Sequence, residues 1–169
     1  MNPFAKINVL CIIKCHCKTF GYETNQLAKI MDYILFIAIP VMVGLVYSIL
    51  LRRGCLQRLP DEFWNVAITV TSIFTPLTLT LLMGLVALKE DLAPNPRAIK
   101  LLKSITYNIC HLILVSLALL GVVVGILIMR GKNSAVASGL AMTIFSHLIL
   151  TLLMVLKRFV ALFLEATDK

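Results

Sequence analysis

Four long stretches of this chain, Tyr33 to Leu51, Trp64 to Leu88, Asn108 to Met129 and Ser134 to Leu156, contain no Asp, Glu, Lys or Arg. A helix needs about 20 apolar residues to cross the hydrocarbon core of a bilayer, because at that depth every peptide group must find its partner inside the segment. The pattern predicts an all-α protein, a bundle of four transmembrane helices at 33–51, 64–88, 108–129 and 134–156. The remainder divides into an interfacial segment at 1–32, an outer loop at 52–63, a basic inner linker at 89–107, an outer turn at 130–133 and a C-terminal extension at 157–169.

Local signals refine these boundaries. Residues 1–20 interleave Phe4, Ile7, Val9, Leu10, Ile12 and Ile13 with Lys6, Lys14 and Lys18, as in an amphipathic segment lying on a membrane surface, and Gly21 to Gln26 break it. No uninterrupted apolar core precedes Lys29, so the first span is expected to act as its own insertion signal. Tyr33, Trp64 and Tyr107 stand at span starts, where an aromatic ring keeps its polar edge at the headgroups. Pro60-Asp61-Glu62 suits a helix start, and Asp91 to Arg97 is the strongest stop signal. Ile99, Leu101, Leu102 and Ile105 then alternate with Lys100 and Lys103, which predicts a short surface helix before the third span. The link at 130–133 makes spans three and four an antiparallel hairpin.

Charge sets the orientation. Lys6, Lys14, Lys18 and Lys29, then Lys89, Arg97, Lys100 and Lys103, then Lys157, Arg158 and Lys169 are eleven of the 16 basic residues, and all fall on one predicted side. Since Lys and Arg are retained on the cytoplasmic side, both termini are expected inside. Lys100, Lys103, Lys157 and Arg158 form a basic inner face for anionic lipid or a cytosolic protein partner. No aromatic-interleaved basic module for nucleic acid is present.

Small residues mark helix packing. Ala118, Gly121 and Gly125 share a face of span three, while Ser134, Ser138 and Gly139 repeat four-residue spacings in span four, so these are expected to form the hairpin seam or a subunit contact. Thr143, His147 and Thr151 form a polar stripe, with His147 near the midplane. It is either a titratable group on a cavity or a neutral imidazole bonded to a neighbouring helix. His111 lies near the inner end of span three, at a depth where it is not expected to meet His147. Thr71, Thr75 and Thr78 form a second stripe around Pro76, readable as a hydroxyl-lined pore with a hinge or as a bent helix whose threonines satisfy the break locally.

Cys11, Cys15, His16 and Cys17 superficially suggest a metal site, but lack the Cys-x2-Cys spacing and a second ligand pair; acylation or no dedicated role fits as well. The sequence has no phosphate loop, nucleophile elbow, His-Glu-x-x-His or intramembrane carboxylate pair, so neither an enzyme nor a cofactor is expected.

With four spans, short loops, a basic inner linker and Lys157-Arg158 closing the last helix, the chain resembles small membrane subunits of bacterial anti-phage defence systems, such as Kiwa-type four-span sensors and membrane accessories of RNA-targeting CRISPR systems. The resemblance covers about Asp32 to Phe163. It implies a homo-oligomer of the bacterial inner membrane, a sensor or pore-like effector working with a soluble partner. A small secondary transporter for a hydrophobic or cationic solute, and an anchor for a cytosolic complex, are the alternatives.

Overall fold

The computed structural model describes residues 9–19, 26–57, 59–87, 96–128 and 135–167. Ser134, the 130–133 turn and most of the expected breaks at 21–26 and 91–97 lie outside the described residues. The elements are α1 (Val9–Lys18), α2 (Gln26–Tyr33), a π turn (Ile34–Ala38), α3 (Ile39–Arg52), α4 (Asp61–Ala87), α5 (Pro96–Ile128) and α6 (Ala135–Thr167). Four stretches are long and apolar enough to cross a membrane: Ile30–Arg52, Asp61–Ala87, Pro96–Ile128 and Ala135–Leu164.

The helix ends follow from the residues at them. At Gly54 the chain takes φ of 72°, a conformation open to a residue without Cβ, and α3 closes with Gly54 N–H on the Leu51 carbonyl at 3.2 Å and Cys55 N–H on Leu50 at 3.0 Å. Asp61 and Glu62 occupy the first turn of α4, beside the positive end of its dipole. Pro96 opens α5, where its missing N–H has no intrahelical partner to lose. No separate surface helix follows it: α5 runs unbroken to Ile128, and Leu102 and Ile105 are buried against Leu85 and Leu162 while Lys100 and Lys103 stay exposed. Alternation of apolar residues with lysine fits a membrane surface and the end of a packed helix equally well.

A seven-residue rhythm organises the core. Buried positions of α5 advance by fours and threes through Ala98, Leu102, Ile105, Ile109, Leu112, Ser116, Leu119, Val123 and Ile126. On α6 Ala141, Leu148, Val155 and Leu162 recur every seventh residue, and on α4 Trp64, Thr71, Thr78 and Leu85 do the same. That period keeps a seam facing its partner when helices cross at about 20°. Trp64, expected at a span start, is part of this core, 3% exposed and in one cluster with α5 and α6 residues.

α4 packs on α5, α5 on α6, and α6 on α3 and the π turn, while α1 lies on α5. Among the described residues α3 and α4 do not pack on each other, so the four spans form an open row, α3–α6–α5–α4. The small-residue seam lies between α3 and α6. A Cβ on Gly44 would strike the Thr143 hydroxyl and the Gly139 carbonyl, and one on Gly139 would lie 2.7 Å from the Gly44 carbonyl and 2.8 Å from Ser48 Cβ. The expected seam at Gly121 and Gly125 is not formed: a Cβ on either meets nothing within 4 Å, and Ala118 is exposed. In hydrocarbon, small residues are compatible with a lipid-facing stripe as well as with a packed one, and spacing alone does not separate the two.

Candidate functional site

The polar residues converge where α1, the π turn, α5 and α6 meet. Pro40 has no N–H to give the carbonyl four residues before it, that of Phe36, and the backbone around that gap widens into the π turn, with Ile39 N–H bonded to Ile34. His147 of α6 fills the gap: its Nδ1–H donates to the Phe36 carbonyl at 2.7 Å. A carbonyl only accepts, so this contact fixes the tautomer and leaves Nε2 of His147 as a lone pair.

α5 supplies the second histidine. Ser104, Asn108 and His111 are spaced by four and three residues, a polar stripe beside the apolar seam, and all three are buried. His111 Nε2–H donates to Nε2 of His147 at 3.0 Å. The expectation that these residues would not meet is therefore overturned. Counting from Asn108 separates them by about six residues, or about 9 Å of helix rise, a span that two imidazole side chains reaching toward each other can close.

The third histidine comes from outside the spans. His16 of α1 and Thr19, just past its end, turn inward while Val9, Leu10 and Lys18 stay exposed. His16 Nδ1–H donates to Oδ1 of Asn108 at 2.9 Å. The Thr19 hydroxyl, 2.7 Å from the His16 carbonyl and 2.9 Å from Asn108 Oδ1, shares its one proton between them. Arg158 then ties α1 to both long helices, donating from Nη1 to Ser104 Oγ and from Nη2 to the Thr19 carbonyl, each at 2.7 Å. A cation there also complements the negative end of the α1 dipole.

The ring of His16 stacks on that of His111 with centroids 3.8 Å apart and planes 12° from parallel, and both meet His147 edge-on at 87° and 81°. One ring nitrogen from each histidine lies within 4.8 Å of the others. Burial holds the His16 imidazole at about 4, well below its ordinary value; the bond to Asn108 opposes that shift, and His147 and Arg158 add to it. Nδ1 of His111 and Nδ2 of Asn108 are buried without a hydrogen-bond partner. Each such group costs about 1–3 kcal/mol.

The sequence-predicted residues divide. Thr143, His147 and Thr151 do share one stripe; Thr143 and Thr151 return their hydroxyls to the Gly139 and His147 carbonyls at 3.0 and 2.8 Å. Of the two readings of His147, the bond to a neighbouring helix's carbonyl is the one formed. Thr71, Thr75 and Thr78 also bond backbone carbonyls of their own helix, and α4 continues through Pro76. Ser138 is buried. Lys100, Lys103 and Lys157 are exposed, but Arg158, expected on the same basic face, is drawn inward. The cysteine-histidine group does not act together: His16 points to the other histidines, Cys17 packs near Phe36 and Met154, and Cys11 Sγ lies 3.8 Å from Cys15 Sγ on an exposed side. Asn108 and Ser104 were not singled out by sequence, though their spacing with His111 is the signal that reveals them.

No protein-family model, no curated protein and no solved structure matches this chain.

Proposed function

We propose that this chain is a non-enzymatic sensor of the bacterial inner membrane, in which α1 is a cytoplasmic arm clasped on the spans and released when the histidine cluster is disturbed. The observation that supports it is the clasp itself: His16 and Thr19, from outside the spans, close a buried polar site whose other members belong to α5 and α6. A site shared in this way transmits its state to the arm. Release would uncover α1 beside Lys100, Lys103 and Lys157, the basic face proposed to meet a soluble partner. A pore reading is less well supported, because the threonines of α4 are satisfied by their own helix. Assembly as a homo-oligomer and a place in anti-phage defence belong to this proposal through the resemblance alone.

The test is a spin-label distance between α1 (Leu10→Cys) and α5 (Lys100→Cys) in an otherwise cysteine-free full chain in nanodiscs. The reading requires a single short distance that lengthens and broadens in His16→Ala. An unchanged distribution in that variant contradicts it.

A further inference from the structure

We propose that His16, His111 and His147 bind one divalent first-row transition-metal ion, zinc being the ion best matched to three neutral imidazoles. The consequence for α1 rests on the sensor reading; the site itself rests on geometry. Ligand atoms on a tetrahedral ion with bonds of about 2.0–2.1 Å stand about 3.3 Å apart. His111 Nε2 and His147 Nε2 are already 3.0 Å apart, and all three ring nitrogens fall within 4.8 Å.

The surroundings hold two of the rings as metal sites hold theirs. A ligating imidazole donates its other N–H to a carbonyl or similar acceptor, which fixes the tautomer and aims the lone pair. His147 does so on the Phe36 carbonyl, leaving Nε2 toward the cluster. With Nδ1 of His16 committed to Asn108, Nε2 is the nitrogen that it offers. His111, 8% exposed, carries a buried Nδ1 with no hydrogen-bond partner, so no such bond orients its ring.

Binding requires two local changes. The proton that His111 Nε2 shares with His147 moves to Nδ1 of His111 by exchange with water, so that both Nε2 lone pairs face the ion and no net proton leaves the imidazoles. The His16 ring turns about its Cβ–Cγ bond, because two parallel stacked rings cannot both aim in-plane lone pairs at one ion, and the Asn108 amide turns with it to keep the Nδ1–H bond. A water takes the fourth position, as at sites with three protein ligands. Arg158 acts against a cation here, so affinity is lower than in a carboxylate-supported site.

Five thiols compete for zinc, so the full chain is tested in lipid nanodiscs with Cys11, Cys15, Cys17, Cys55 and Cys110 replaced by Ser. Titration of Zn2+ against a chromogenic chelator is expected to give one ion per chain. His16→Ala, outside the spans and so least disturbing to the row, and Asn108→Ala are each expected to weaken binding at least about tenfold. X-ray absorption should show only nitrogen and oxygen at about 2.0–2.1 Å. No binding by the cysteine-free chain, or affinity within about twofold of the parent in His16→Ala, overturns the proposal. Zinc binding by the parent chain together with an α1–α5 distance that does not change in His16→Ala would contradict the sensor reading and leave the metal site standing; an arm that responds to His16→Ala in a chain that binds no zinc would do the reverse.

Discussion

His147 donates its Nδ1–H to the carbonyl of Phe36 across the α6–α3 boundary, 2.7 Å away, at the one carbonyl of that turn from which Pro40 withholds its N–H. A proline in one span thus sets the tautomer of a histidine in another. Replacing Pro40 by Ala gives the Phe36 carbonyl a helical donor of its own. The variant is expected to convert the π turn toward regular helix, with thermal stability unchanged or raised. It should also weaken zinc binding about tenfold through loss of the bond that orients His147. Melting curves and the chelator titration measure the two effects separately.

The contact between α3 and α6 predicts opposite outcomes for two pairs of glycines. Gly44→Ala or Gly139→Ala places a methyl group against backbone of the facing helix and should destabilise by about 1–3 kcal/mol. Gly121→Ala and Gly125→Ala meet open space and should be neutral, or stabilising by up to about 1 kcal/mol through helix propensity. Unfolding in mixed micelles distinguishes these results.

Arg158 holds the C-terminal end of α1 through Ser104 and Thr19. Arg158→Gln keeps a polar head but loses the charge and the reach of the fork, so α1 should become more accessible. The rate of proteolytic cutting between 19 and 26 is expected to rise several-fold, while cutting at Arg52 and Arg53 is unchanged.

These contrasts show which parts of the structure were legible in sequence. The four spans were, because hydrocarbon forbids charge and an uncharged run leaves few other readings. The docking of α1 was not: Ile12 and His16 form the same amphipathic pattern whether the face meets headgroups or protein. His111 and His147 were assigned different depths because Lys100 and Lys103 placed the span start at Asn108, whereas the helix begins at Pro96. A single glycine such as Gly44 carries no spacing signal, and only the facing Gly139 gives it meaning.

Acid should loosen the arm in protein kept metal-free with chelator. Docked His16 has its imidazole at about 4, against an ordinary value of about 6.5 once exposed, so between those values the undocked arm binds more protons. Docking is then fully present above about pH 6.5 and weakens as pH falls toward 4. His16→Gln should flatten this dependence in the α1–α5 label distance.

The central claim is that α1 rests on α5 with His16 against His111. Disulfide trapping in the cysteine-free full chain, in native membranes, tests it most directly. Cysteines at 15 and 107, whose native side chains Cys15 and Tyr107 meet across α1 and α5, leave the histidines in place and should cross-link rapidly under mild oxidant, while cysteines at 10 and 107 should not, since Leu10 is 76% exposed on the far side of α1. Equal trapping of the two pairs, or none at 15 and 107, would contradict the account.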